Sequence, residues 1–223
     1  MELMEAIRRR HSVRQYTDRA LEPEAIRRLE QEIAACNAEG DLHIRLETEE
    51  PTAFQGLLAH YGKFSNVRNY MVLQGPKGAG LAERIGYYGE RLVLTAASLG
   101  VDSCWVAVTF RKRAAARGAA AGDQVVCVVA LGYGVTTGVP HRSKPLEQLC
   151  RTDGAEMPAW FRAGAEAALL APTAMNQQKF RLTLTGGRGV RAEALPGPYS
   201  RVDLGIVKYH FEAAAGRENF DWV

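Results

Sequence analysis

Four stretches of the sequence carry residue types that could do chemistry. The first is Arg10-His11-Ser12-Val13-Arg14. Two guanidinium forks around a hydroxyl suit a phosphate dianion, because Arg binds phosphate bidentately and keeps its charge. A solvated basic face at a helix C-terminus would use the same residues, since the macrodipole favours cations there. The second, His141-Arg142-Ser143-Lys144-Pro145-Leu146-Glu147, could bring Arg142 and Lys144 to the same phosphate, or could be a polar loop before a helix. The third is Ala171-Pro172-Thr173-Ala174-Met175-Asn176-Gln177-Gln178. Pro and small residues let backbone approach a flat ligand, and amides donate and accept at a heterocycle edge. An ordinary turn also favours Asn and Pro. The fourth, Ser103-Cys104-Trp105-Val106-Ala107-Val108-Thr109, could pack against a ring while presenting backbone polar groups to it, or could be a core strand.

Little else offers reactive side chains. The sequence has no G-x-S-x-G, Walker loop, H-E-x-x-H or G-x-G-x-x-G. His11, His43, His60, His141 and His210 show no metal-ligand spacing. Cys36, Cys104, Cys127 and Cys150 are too far apart for a zinc knuckle or a CxxC pair, and no disulfide framework is expected. No metal and no catalytic side chain are expected, so a bound organic cofactor would have to supply the chemistry.

The elements that must position these stretches follow from the hydrophobic pattern. Leu3, Met4 and Ile7 give a short amphipathic helix ahead of the basic run, and Pro23 to Ala35 gives a second with Ile26, Leu29 and Ile33 in phase. His43–Thr48 and Tyr70–Gln74 read as strands, and Gly86–Leu99 as a buried helix closed by Gly100. Val101–Phe110 reads as extended. Val125–Leu131, apolar and β-branched throughout, reads as a strand covered on both faces. Gly132–Pro140 is expected to be a loop. A helix over Trp160–Leu170, a strand over Phe180–Thr185, a loop over Gly186–Pro198 and a helix over Leu204–Ala215 follow. The mixture predicts an α+β fold.

Composition sets outer bounds. Of 223 residues, 47% are apolar and 24% charged, enough apolar side chain to offset ordering entropy and exclude general disorder. No apolar run is long enough to span a membrane, and the acidic N-terminus does not resemble a secretory signal, so a cytoplasmic protein is expected. A net charge of +3 is too small to imply nucleic acid, and the basic clusters Arg8–Arg10 and Arg111–Arg113 lack interleaved aromatics.

A weak internal repeat aligns Glu24–Glu47 with Trp160–Thr183, and Gly89–Gly100 with Gly205–Gly216. Chance similarity between apolar helices would give the same alignment.

Taken together, the four stretches resemble the nitroreductase superfamily of FMN flavoproteins, over nearly the whole chain. Arg10-His11-Ser12-Val13-Arg14-x-Tyr16 is similar to the family's phosphate motif. Ala171-Pro172-Thr173-Ala174-x-Asn176-x-Gln178 is similar to its Ala-Pro-Ser motif, Gly132-Tyr133 with Arg142-x-Lys144 to its late basic motif, and Gly100–Ala107 to its flavin-ring segment. The Ala-Pro-Thr motif stands in the second half rather than after the first helices, where Ala35–Gly40 lies instead. Typical members are homodimers that build each site from both subunits. The displaced motif therefore implies a tandem duplication, as in the branch called putative TM nitroreductases, with two pseudo-symmetric α/β subdomains mimicking the homodimer.

The resemblance implies a first half over residues 1–150, a shorter second half over 151–223, and one FMN in a cleft between them. Arg10, His11, Ser12, Arg14, Arg142 and Lys144 would hold the phosphate end. Trp105, Val106 and Ala107 would line the ring, with a backbone N–H near Ala107 facing its N5. Pro172, Thr173, Ala174 and Asn176 would close the other side. It also implies an NAD(P)H oxidoreductase passing hydride through FMN to a nitroaromatic, quinone or similar small acceptor by ping-pong exchange. A monomer with no nucleic-acid or membrane partner is expected. Lys179-Phe180 replaces the usual Pro-Trp, and Ala107-Val108 the usual acidic-Gly pair. An FMN-binding sensor or carrier, or a scaffold with little turnover, is the alternative.

Overall fold

The computed structural model describes residues 1–154 and 156–223. Its elements are α1 (Leu3–Arg9), α2 (Pro23–Gly40), β1 (Arg45–Glu47), α3 (Leu57–Tyr61), β2 (Asn69–Pro76), α4 (Leu81–Ser98), β3 (Asp102–Val106), α5 (Lys112–Ala115), β4 (Asp123–Gly132), α6 (Leu146–Leu149), β5 (Cys150–Thr152), α7 (Ala159–Ala168), β6 (Phe180–Thr185), β7 (Gly189–Ala194), α8 (Ser200–Ala215) and β8 (Asp221–Trp222). The fold is α+β, as expected. The chain forms two compact units: one of Arg9–Leu81 and Leu92–Pro140 with Met1, the other of Glu2–Arg8, Ala82–Arg91 and His141–Val223. Among the described residues no helix is long and apolar enough to cross a membrane.

The first unit is built on an antiparallel sheet in the order β1-β2-β4-β3. Its middle strands are apolar on both faces, and Met71, Val72, Leu73 and Val128 to Leu131 are fully buried. The β-branched run that predicted a doubly covered strand is thus the centre of β4. Burying each such side chain contributes about 1.5–3 kcal/mol. The core continues through Val13, Phe54, Phe64, Tyr70, Cys104, Val106 and Phe110. In α2, Pro23 occupies the first turn and Ala25, Leu29, Ile33 and Cys36 form the buried stripe. The Asn37 side chain accepts from the Ile44 N–H (2.7 Å) and donates to the Ile44 carbonyl (2.8 Å), which fixes the chain entering β1.

The second unit has a sheet in the order β5-β6-β7-β8. β6 and β7 are antiparallel; β5 joins β6, and β8 joins β7, in parallel. Aromatic rings pack beneath it edge to face, with Phe211 and Phe220 centroids 5.1 Å apart. α8 packs on α7, where Gly164 admits the Phe211 ring. α8 also crosses the first half of α4 at very short range. A Cβ built on Gly205 would lie 2.0 Å from the Glu83 carbonyl oxygen, and one built on Gly86 would lie 2.0 Å from that of Val202. The contact is reciprocal: each glycine meets the carbonyl three residues before the other. Beside it, His210 and Glu90 are both fully buried, with Nε2 2.9 Å from the carboxylate and Nδ1 3.1 Å from the Ala167 carbonyl.

The structure corrects several expected bounds. α4 begins at Leu81, five residues before Gly86. That glycine is the point of close approach to α8, not a helix start. α8 likewise begins at Ser200 and carries Gly205 inside it. In the helix contact Gly205 meets Gly86, whereas the sequence alignment sets Gly205 opposite Gly89. A shift of three residues is nearly one helical turn, so both alignments preserve the apolar stripe. The extended segment is shorter than expected, because β3 ends at Val106. Gly186–Pro198 is not all loop: β7 occupies Gly189–Ala194 and pairs with β6 along six residues.

Candidate functional site

In the first unit the Arg10–Tyr16 segment is stitched onto the sheet. Ser12 forms a parallel bridge with Ser103 of β3, and the Val13 N–H donates to the Ser103 carbonyl (3.0 Å). Further along, the Ser65 N–H donates to Arg14 (3.0 Å) and the Val135 N–H to Gln15 (2.9 Å). The Tyr16 ring packs over Gly132, where a Cβ would come within 2.6 Å of it, and its hydroxyl donates to the Val13 carbonyl (2.6 Å). Burial pushes the Tyr16 phenol well above its ordinary pKa, so that donor is permanent. His11 Nδ1 lies 3.0 Å from the Thr137 carbonyl. Gly138, with φ of +79°, lets the loop pass close to His11: a Cβ added there would lie 2.8 Å from the His11 Cβ.

The result is a basic segment of fixed shape beside β3. Arg10 is buried, His11 and Ser12 are half-buried, and Arg14 is exposed with its guanidinium 6.0 Å from the Phe64 ring centroid. The Cys104 thiol hydrogen-bonds to the Ser12 side chain. Burial pushes that thiol up, while Arg14, Ser12 and Arg10 pull it down. Alternation along β3 places Cys104 and Val106 on the core side and Trp105 on the other. The Val106 side chain belongs to the core, which leaves only its backbone for a ligand, whereas Trp105 and Ala107 are half-buried.

In the second unit, Arg142 and Lys144 come together with the Pro172–Asn176 stretch. The Lys144 N–H donates to the Gln178 side chain (2.8 Å), and its ammonium donates to the Gln177 carbonyl (2.7 Å). The Arg142 carbonyl accepts from Asn176 and Gln178 side chains, both at 2.9 Å. The Thr173 hydroxyl accepts from the Gln178 N–H (3.0 Å). Met175, Asn176 and Gln178 all have φ near +50°. Each non-glycine in that region costs on the order of 1–3 kcal/mol, and such residues cluster where a ligand is clamped. Met175 is 83% exposed, so its strained conformation is not bought by burying its side chain.

Gln177 and Gln178, both in the third candidate stretch, provide most of the loop's side-chain bonds. Asp203, at the start of α8, escaped the sequence reading, and no sequence signal marked it. Its carboxylate is 3% exposed and accepts the Ala174 N–H (2.9 Å) and the Gln177 amide (2.8 Å). Burial pushes its pKa up to about 6, against the pull of those two bonds. Among the described residues, no group of three or more His, Cys, Asp or Glu could hold a metal ion.

Comparison with known proteins places the fold. The family model described as "Putative TM nitroreductase" matches residues 2–215. A Thermotoga maritima protein described as a putative nitroreductase superposes with a TM-score of 0.68 at 23% identity, over 98% of this chain and 85% of that one. A putative nitroreductase in complex with FMN from Desulfovibrio desulfuricans gives 0.54 at 21% identity, over 70% and 98% of the two chains. A nitroreductase with bound FMN from Desulfitobacterium hafniense gives 0.50 at 17% identity, over 65% and 95%. No protein of curated function matches the sequence. The fold is that of the nitroreductases.

Proposed function

The chain belongs to the putative TM nitroreductase family, and from that premise we propose that it is an FMN-dependent NAD(P)H oxidoreductase. The residues present fit the cofactor in two respects. Arg10, Ser12 and Arg14 offer charged and hydroxyl donors on a segment that backbone pairing holds in place. The Pro172–Asn176 loop keeps a strained backbone, as a ligand clamp does. The fixed Arg10–Arg14 segment beside β3 is the observation that carries the reading.

FMN, when bound, supplies the hydride chemistry between NAD(P)H and a second acceptor such as a nitroaromatic or a quinone, taken in turn. The protein binds and orients. Arg10, His11, Ser12 and Arg14 hold the phosphate, with Arg142 and Lys144 as further cations. Lys144 serves the loop as well, since its ammonium already donates to Gln177. Trp105 and Ala107 offer a surface and backbone donors to the ring, and Val106 offers its backbone alone. Pro172, Thr173, Ala174 and Asn176 cover the flavin. Of these, Asn176 contributes through backbone and shape, because its amide is committed to the Arg142 carbonyl. No side chain needs to exchange protons with the substrate, so orientation and a positive environment do the work. The displaced motif and the reciprocal Gly86–Gly205 contact support a tandem duplication, with a monomer in the cytoplasm as its functional form.

Arg14→Ala tests the phosphate assignment. Losing one bidentate, charge-assisted contact is expected to weaken FMN binding by about ten- to a hundredfold, since such bonds contribute ~1.5–3 kcal/mol. Unchanged affinity would show that the phosphate binds elsewhere.

A further inference from the structure

We infer that Asp203 is the positioning residue of the Pro172–Asn176 loop: its ionised carboxylate holds the loop's shape, and the loop lets go when that carboxylate takes a proton. The inference concerns the same site as the proposed flavin function and deepens it.

The geometry comes first. Each oxygen of the carboxylate has its own donor, the Ala174 N–H at 2.9 Å and the Gln177 amide at 2.8 Å. The Gln177 amide also donates to the Pro198 carbonyl (2.7 Å), so it cannot turn over to present its oxygen without losing that bond. The two donors bracket Met175 and Asn176, the strained pair. An ionised carboxylate is acceptor-only and matches two donors. A protonated one carries an O–H that needs an acceptor of its own, and its hydroxyl oxygen is a much weaker acceptor for the N–H that faces it. One tie to the strained turn is weakened, and its left-handed residues can relax.

The helix crossing adds a second argument. The reciprocal contact pairs Gly86 with Gly205 and Glu83 with Val202. The position matched to Asp203 is then Arg84. On the same chain, Ala35–Gly40 stands where the first half would carry its own Ala-Pro-Thr loop, and it is helix end. The half without the loop thus lacks the carboxylate too, as expected if the carboxylate serves the loop rather than the helix crossing.

Charged groups on the elements around it include Arg201 and Lys208 on α8, Arg162 and Glu166 on α7, Glu83 and Arg84 on α4, and Arg142, Lys144 and Lys179 near the loop. Lys208 pairs with Glu83, Lys144 is committed to Gln177, and the Lys179 stem lies against Gly197. None contributes to the shift of Asp203, which comes from burial against the bonds from Gln177 and Ala174. With a pKa of about 6, only roughly a tenth of Asp203 is ionised at pH 5.

Hydrogen exchange of the flavin-free protein tests this directly, using peptides that cover residues 172–179 and correcting for the intrinsic pH dependence of exchange. Between pH 7.5 and 5, protection of these peptides is expected to fall about tenfold with a midpoint near 6, while β2 and β4 peptides hold theirs. Asp203→Asn should show low, pH-independent protection in the loop alone. Flat loop protection in the wild type would overturn the inference, as would an Asp203→Asn protein that keeps the wild-type titration. FMN retention, measured separately at pH 7.5, keeps the two readings distinct. A titrating loop in a protein that binds no FMN upholds the role of Asp203 and refutes the flavin reading. A flat loop in a protein that binds FMN does the reverse.

Discussion

Gly205→Ala tests the helix crossing that anchors α8. The added methyl would sit 2.0 Å from the Glu83 carbonyl oxygen and 2.6 Å from the Tyr87 nitrogen. An ordinary C···O approach is about 3.3–3.6 Å, so the helices must part by well over 1 Å. The opposing atoms are helical backbone, which cannot rotate aside as a side chain would. Parting the helices also opens a gap along the rest of the contact, and a gap of 0.5–1 Å forfeits roughly a quarter to a half of each dispersion contact. The cost lies at or above the ~3 kcal/mol upper end of ordinary overpacking. Alanine returns about 1 kcal/mol of helix propensity. The net loss is about 2–3 kcal/mol, which for a chain of 223 residues lowers Tm by roughly 4–12 °C. Thermal unfolding followed by circular dichroism measures it. Gly78→Ala is the control, because nothing lies within 4 Å of a Cβ there and its backbone is not left-handed. If Gly205→Ala unfolded at the same temperature as Gly78→Ala, the close crossing and everything argued from its reciprocity would be wrong.

The remaining predictions concern buried ionisable groups. Asp203 has a folded pKa of about 6 against an ordinary 3.8, a raised acid. Whole-chain unfolding exposes this carboxyl, so stability is highest below pH 3.8 and falls by about 3 kcal/mol as pH rises through 6; loop opening differs, because Asp203 stays buried and only the two bonds made by its ionised form are given up. Urea unfolding at pH 4 and pH 7 should therefore show Asp203→Asn missing most of that pH dependence; an identical profile in both proteins would contradict it. His210→Ala leaves the Glu90 carboxylate buried without its imidazole and should cost ~3 kcal/mol or more. Replacing both residues with Leu should cost less than that single change, and a larger loss in the double variant would show that the pair is not the unit described.

The sequence carried the parts of the fold that repeat a simple period. Val125–Leu131 could be read as a covered strand because every residue is apolar, and α2 because Ile26, Leu29 and Ile33 fall in phase, although Ala25 rather than Ile26 joins the buried stripe. It misled wherever glycine had a tertiary reason. Gly86 looked like a helix boundary because the only sequence-level explanation of such a glycine is local, and the cause is α8. Gly186–Pro198 looked like loop because glycine and proline crowd it. The alternation Val190-Arg191-Ala192-Glu193-Ala194 was nevertheless present, with Val190 buried and Arg191 and Glu193 exposed. At the site, the residue types of Arg10–Arg14 and Pro172–Asn176 were legible in the sequence. What holds them was not: the Ser12–Ser103 pairing links residues 91 positions apart, and Asp203 is an ordinary helix-start acid until its burial is known.

The most direct test of the account is an absorbance spectrum of the purified protein after incubation with FMN and desalting, followed by anaerobic addition of NADH and then NADPH. The account predicts a retained yellow flavin near one per chain, bleached by at least one of the two nucleotides. A colourless protein after desalting would contradict it.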